Sequence, residues 1–187
     1  MKRREALSTM SIVAGGTMIL PQVLLSGCDR GPYKYKLFNW GDTELLNEIA
    51  EVIIPATPDV PGAKAADVGD FIQLYVTDCF KEIDKNIFID GFQNFKTKMK
   101  NQYHDDFVSL SSEIKLEVVN GLEEETREFK NNGTPGDPEH FYTLLKNTVL
   151  FGYFTSEVGA TKALNYLPIP GYQKGEIAYN GEKAWAL

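Results

Sequence analysis

The sequence is poor in the residues that usually carry chemistry, and it has no long apolar run. Of 187 residues, two are cysteines and two are histidines. Cys28 lies at the end of an N-terminal leader, which leaves Cys79 without a partner for an internal disulfide. Cys79 is therefore expected as a small hydrophobe buried on the apolar face of a helix. His104 and His140 fall in separate elements, without His-x-x-x-His or Glu-x-x-His spacing, which argues against a metal site. Glycine-rich phosphate loops, a Cys-x-x-Cys-His haem attachment and a Gly-x-Ser-x-Gly elbow are all missing. Catalytic groups can be dispersed along a chain, so this removes the local signatures rather than catalysis itself. Positive charge is scarce, with 19 Lys and Arg against 26 Asp and Glu and a net charge of −7. Such a surface does not neutralise phosphates, which excludes nucleic acid as a partner, and it does not adhere electrostatically to an anionic membrane. Runs of alternating β-branched residues longer than four are also missing, so strands are not expected, and no internal repeat occurs.

What is present begins with a leader. Met1-Lys-Arg-Arg-Glu-Ala-Leu is a basic n-region, followed by an apolar stretch from Met10 to Leu25 broken by Gly15, Gly16 and Pro21. That stretch is too short and too interrupted to span a bilayer, which takes ~20 apolar residues, so it reads as an export signal. Arg3 and Arg4 followed by Ala6-Leu7 resemble a twin-arginine signal, although Ala6 stands where that motif usually has Phe. An ordinary Sec signal with two arginines is the other reading. Leu25-Ser-Gly-Cys28 resembles the lipobox of bacterial lipoproteins. It implies cleavage before Cys28 and lipidation of its sulfur and its new amine. Each buried CH₂ gives about 0.8 kcal/mol, so several acyl chains make a durable anchor. The expected organisation is an export signal over 1–27, a lipidated tether over 28–41 and a helical domain over 42–187.

Within that domain the apolar spacing predicts about five helices. The first is capped by Asp42 or Thr43 and carries Leu45, Leu46, Ile49, Ala50, Val52 and Ile53 inward. It ends before Pro55, because the residue before a proline is pushed out of the α region. Three prolines within residues 55–61 make the next loop stiff. Asp67 caps a second helix, with Val68, Phe71, Ile72, Tyr75, Val76, Cys79, Phe80 and Ile83 facing the core. A third run from Asp84 carries Phe88, Phe92, Phe95, Met99 and Tyr103, with Lys96, Lys98 and Lys100 on its wet side. A fourth starts at Ser109 with Ile114, Val118, Leu122 and Phe129 inward. Its acidic outer face, Glu117, Glu123, Glu124, Glu125 and Glu128, reads as solvated. Asp137-Pro138-Glu139 restarts the chain as a fifth helix, apolar on much of its circumference and therefore central. His140, in its first turn, is expected to face water or a neighbouring carboxylate.

The stretch from Leu150 to Gly171 reads as a hub. It leaves the fifth helix at Thr155-Ser156, restarts with Ser156 as cap, and ends in Pro168-Ile-Pro-Gly171. Gly152, Gly159 and Ala160 allow close approach of another backbone or a ligand. The segment from Gln173 to Leu187 has little periodicity and is expected to lie extended on this domain or on another protein. The fold class is therefore all-α, a single helical bundle with an irregular C-terminal tail.

Several pieces of this chain resemble the gluconate 2-dehydrogenase subunit 3 family. They are Glu51-Val-Ile-Ile-Pro-Ala-Thr-Pro58, Pro61-Gly-Ala-Lys64 and Val68-x-x-Phe71-Ile72 near the N-terminal side. On the C-terminal side they are Gly152-Tyr-Phe-Thr-Ser-Glu-Val-Gly-Ala-Thr161, Tyr166-x-Pro-x-Pro-Gly171 and Lys183-Ala-Trp185. The resemblance implies a small, non-catalytic subunit beside a large flavoprotein of the glucose–methanol–choline oxidoreductase type. That partner binds FAD, oxidises a sugar or sugar acid, and often passes electrons to a cytochrome c. No cofactor is expected in this chain itself. A partner interface is rich in aromatics. The residues expected there are Tyr153, Tyr166, Pro168, Ile169, Pro170, Gly171, Tyr172, Tyr179 and Trp185, whereas Phe154 is expected to close the domain's own core. A stand-alone periplasmic ligand-binding lipoprotein is the alternative reading of the same leader and domain.

Overall fold

In the computed structural model the described residues are 38–134, 136–169, 171, 176 and 178–186. The leader with Arg3, Arg4 and Cys28, together with Pro170 and Tyr172, lies outside them. Five α-helices appear among the described residues: α1 (Trp40–Ile53), α2 (Val68–Asp78), α3 (Glu82–Tyr103), α4 (Ser112–Asn132) and α5 (Phe141–Thr155). Short 3₁₀ turns, Ala63–Ala66 and Phe107–Ser109, and a π turn, Gly159–Ala163, join them. The bundle is held by helix packing, and α5 touches all four other helices. Its central place follows from composition, because Phe141, Tyr142, Leu145, Thr148, Val149, Gly152 and Tyr153 are all buried. The aromatic stripe of α3 is buried as its spacing predicts, with Phe88, Phe92, Phe95 and Met99 all in the core. Burial of each such side chain contributes roughly 1.5–3 kcal/mol.

The ends of the elements depart from the sequence expectation. The core begins at Phe38, whose ring packs at 6.3 Å from Phe88 and 6.1 Å from Phe92. Helix α1 then starts at Trp40, with Asn39 rather than Asp42 or Thr43 as its N-cap. Asp42 instead turns back, and its Oδ2 accepts from the Asn39 backbone N–H at 2.7 Å. Asp67 is the N-cap of α2 by position only; it sits at φ 49° and its side chain makes no capping bond. Helix α4 starts at Ser112 with Ser111 as cap, because residues 107–109 fold as a separate turn that buries Phe107. Asp137 caps no helix. Its Oδ2 accepts from the Thr134 N–H at 2.6 Å within the preceding loop, and α5 starts at Phe141.

Four side chains placed inward or outward from periodicity are placed otherwise by the fold. Cys79 is exposed, because α2 ends at Asp78 and the following turn carries Cys79 off the buried stripe. Ile83 is 57% exposed and Phe129 is 45% exposed, each lying near a helix end. Lys96 is not on the wet side, since its Nζ donates to the nearly buried Asp42 Oδ1 at 2.8 Å. The tail does contain strands: Asn165–Tyr166 (β1) pairs in parallel with Trp185–Ala186 (β2), with Asn165 opposite Trp185 and Tyr166 opposite Ala186. A two-residue ladder is too short to leave a period-2 signal in sequence.

His140 is the N-cap of α5, and its Nδ1 accepts from the Tyr142 N–H at 3.2 Å. Nδ1 also lies 2.8 Å from the Thr126 hydroxyl, and the ring packs 5.4 Å from Phe129. The group is half-buried against α4 rather than facing water or pairing with a carboxylate. Burial pushes its pKa below the ordinary 6.5, and the Glu125 charge opposes this without cancelling it. The unfolded chain therefore takes up the proton first as pH falls. Stability from this group is complete above about pH 6.5 and is lost as pH drops through the lower folded value. Denaturant unfolding should show stability declining as pH falls below about 6.5, and His140→Ser, which keeps a capping oxygen, should flatten that decline. The decline is separable from that of Glu48. Burial alone would raise the Glu48 carboxyl, but Lys115 and Lys64 outweigh it and hold it below 4.5, so its contribution fades only in stronger acid.

Candidate functional site

The site is built where α5 stops. Ser156 adopts an extended ψ of 159° and ends the helix. Its hydroxyl donates to the Tyr153 carbonyl at 2.7 Å and accepts from the Gly159 N–H at 3.0 Å. The chain thus folds back over the last turn of α5, as the sequence break at Thr155-Ser156 predicts. Gly159 makes this possible, since a Cβ there would sit 1.9 Å from the Tyr153 carbonyl oxygen. Gly152 serves the other side of the same helix, where a Cβ would sit 2.4 Å from the Phe71 ring. The π turn then hands the chain to β1. Asn165 N–H donates to Ala184 O at 2.8 Å and Leu167 N–H to Ala186 O at 2.9 Å, which clips the C-terminal tail onto the domain. Lys183 Nζ adds a bond to the Lys162 carbonyl at 2.5 Å.

A second tether joins this end of α5 to the proline-rich loop. The Tyr153 hydroxyl donates to the Pro61 carbonyl at 2.6 Å. Burial pushes that hydroxyl's pKa up and the Glu51 charge adds to the effect, so it remains a donor. The Glu51 carboxylate accepts from the Ala56 N–H at 2.9 Å and from the Lys64 N–H at 2.8 Å, which pins both ends of the loop to α1. Hub and loop are therefore tied together through α1 and Tyr153, while residues 55–59 of the loop stay exposed.

Tyr153 is 1% exposed and belongs to the core, so it is withdrawn from the expected partner surface. Its ring fills α5's buried face and its one polar atom is committed to Pro61. Phe154 is corrected in the other direction: it is 39% exposed, with its ring edge-on to Tyr153 at 5.2 Å. Tyr166, Pro168, Ile169, Gly171, Tyr179 and Trp185 are all exposed, Ile169 and Tyr179 at 81% and 80%. The arm and tail therefore carry several large apolar side chains open to solvent among the described residues. Pro170 and Tyr172, expected on the same surface, lie outside the described residues.

Spacing alone missed a second apolar surface. Phe71 and Tyr75 on α2 and Phe151 on α5 form an aromatic triad with centroids 5.3–5.7 Å apart, and Phe151 is 48% exposed. The available signal was α5 itself, whose apolar residues cover more of its circumference than its neighbours can bury. A groove of about 660 Å³ also runs between α1, α3 and the Phe107 turn, lined in part by Asp42, Lys96, Phe95 and Phe107. Two of its lining charges, Asp42 and Lys96, pair with one another. Among the described residues no group of three or more His, Cys, Asp or Glu side chains could hold a metal ion. Among them, too, no helix is long and apolar enough to cross a membrane.

Comparison with curated proteins and with solved structures found no match. A comparison with protein-family models matched gluconate 2-dehydrogenase subunit 3 over residues 41–171. The matched span runs from the second residue of α1 through the hub to the end of the Pro-x-Pro-Gly arm, and it takes in the other four described helices whole. The chain belongs to the gluconate 2-dehydrogenase subunit 3 family.

Proposed function

We propose that this chain is the non-catalytic small subunit of an FAD-dependent sugar or polyol dehydrogenase, which supports maturation, export and membrane tethering of a large flavoprotein. Membership of a subunit family supports a larger catalytic partner. The observation that carries the reading is the set of open apolar side chains on the arm and tail, Tyr166, Ile169, Tyr179 and Trp185, with the tail clipped to the hub by the β1–β2 pairing. A stable interface buries about 800 Å² on each side and favours aromatics at its centre. In this reading the FAD belongs to the partner, and a cytochrome c is a candidate for its electron acceptor. A flavin must be inserted before export, so a folded-protein route fits, and Arg3 with Arg4 supplies its signal. Cys28 supplies the lipid anchor at the periplasmic side.

A second reading, a stand-alone ligand-binding lipoprotein, draws support from the groove beside Asp42 and Lys96. Purification of the chain from native membranes in mild detergent separates the two. The small-subunit reading expects a stoichiometric large protein with flavin absorbance. A colourless chain that stays alone, or a lone chain that oxidises sugars with a dye acceptor, would overturn it. Cys28→Ala should move the chain, with its partner, from the membrane to the soluble fraction, because the acyl chains are the only anchor in the proposal. Unchanged membrane fractionation of that variant would refute the anchor.

A further inference from the structure

Helix α2 exposes one stripe along its outer side. Asp70, Leu74 and Asp78 are four residues apart and all exposed, so they stand one above another on the same face. The neighbouring stripe, Phe71 and Tyr75, stacks at 5.4 Å and packs against Phe151 of α5. Phe71 is seated because Gly152 offers no Cβ to block it. The result is a pre-organised aromatic shelf with an apolar lip, Leu74 at 41% and Phe151 at 48% exposure, and an acid at each end of the lip.

Two features say what covers this shelf. First, α2 contains no lysine or arginine, and neither Asp70 nor Asp78 forms an ion pair among the described residues. The nearby cations are Lys85, whose Nζ donates to the Thr77 carbonyl at 2.7 Å, and the exposed Lys81, and neither forms an ion pair with Asp70 or Asp78 among the described residues. Two open carboxylates flanking an apolar centre complement an apolar patch rimmed by Lys or Arg. Second, Phe151 stands in the last turns of α5, at the start of the hub that carries the exposed arm, so shelf and arm are presented by the same helix end. A rigid aromatic anchor loses little entropy on binding, which is the usual character of an interface hot spot.

We infer that the α2–α5 shelf is a docking surface for the catalytic subunit of this chain's own complex, which meets it with an apolar patch flanked by basic side chains. The inference rests on the small-subunit reading and adds a second area to the interface proposed for the arm.

The test uses the full-length chain purified from its native host in mild detergent, with flavin absorbance per chain as readout. Asp70→Lys combined with Asp78→Lys, and separately Leu74→Asn, should each lower flavin per chain at least about tenfold under dilute conditions. The charge reversal should act most strongly at low salt, where exposed charges are least screened. Leu116→Asn on α4, at an equally exposed leucine, should leave the ratio unchanged. All four positions are exposed, and circular dichroism of each variant verifies its fold. Oxidative footprinting of the wild-type complex needs no variant, and there Leu74 and Phe151 should be protected until the subunits are separated. If the wild-type chain brings a flavoprotein with it, full retention in folded α2 variants, or equal oxidation of Leu74 and Phe151 in complex and free chain, would overturn the shelf and leave the small-subunit reading intact. If the wild-type chain brings no flavoprotein at all, the parent reading fails and the shelf falls with it.

Discussion

Gly159→Ala should cost the fold about 3 kcal/mol and lower the melting temperature by roughly 10 °C. The obstacle is backbone, not a side chain that can swing away: the new Cβ would meet the Tyr153 carbonyl oxygen at 1.9 Å and its carbonyl carbon at 2.7 Å. Relief requires the returning chain to lift off the end of α5. That movement breaks the bond from Gly159 N–H to the Ser156 hydroxyl and shifts the start of the π turn that leads to β1. The damage should therefore spread to the arm. Limited proteolysis between residues 164 and 186 should accelerate more than cleavage within α1 to α4. Gly121→Ala is the matched control. It lies in α4 with nothing within 4 Å of the added Cβ, so the change should stabilise by up to about 1 kcal/mol through helix propensity alone. A cost below about 1 kcal/mol for Gly159→Ala would mean that the hub is soft and that its glycine has no steric role.

Apolar periodicity made the five helices and most of the core legible, because a helix in a bundle must bury one stripe wherever its neighbours lie. It failed where a neighbour's position decides. Asp42, Ser109 and Asp137 each carry a capping residue type, yet the helices begin at other residues within four positions. Local sequence offers several candidates there, and the packing of Phe38, Phe107 and Phe141 selects among them. Cys79 and Phe129 keep the buried period of their helices, but α2 stops before the one and the other lies in the last turns of α4. The exposure of Tyr166, Ile169, Tyr179 and Trp185 was legible, these being large apolar residues in a stretch with no stripe to join. Tyr153 was misplaced for a reason no spacing reveals. Its hydroxyl is satisfied by Pro61, 92 residues earlier in the chain. The apolar lip of the α2 shelf was hidden for a related reason: Phe71 and Tyr75 fit an inward stripe, and only the placement of Phe151 shows where that stripe meets solvent.

Asp42→Ala should be about as damaging, at about 3 kcal/mol in denaturant unfolding, although the residue reads in sequence only as a candidate helix cap. Its carboxylate is nearly fully buried and holds two partners at once, the Asn39 N–H at 2.7 Å and Lys96 Nζ at 2.8 Å. The first bond satisfies a donor at the start of α1 and places negative charge at the positive end of the helix dipole. The second ties α1 to α3 across 54 positions of sequence, with Lys96 also lying 4.9 Å from the Phe92 ring centre. Truncation leaves a half-buried ammonium without its counter-ion and an unpaired backbone donor beside it. Asp42→Asn separates the two effects, because it keeps an acceptor for Asn39 and loses only the charge, so its cost should fall between those of wild type and alanine. Lys96→Met should also destabilise, since it strands the Asp42 charge in the protein interior. The double variant should then cost clearly less than the two single changes added together, because the second substitution removes a charge already left without its partner. Strict additivity would show that the pair contributes nothing as a pair, and that α1 and α3 are joined by their apolar contacts alone.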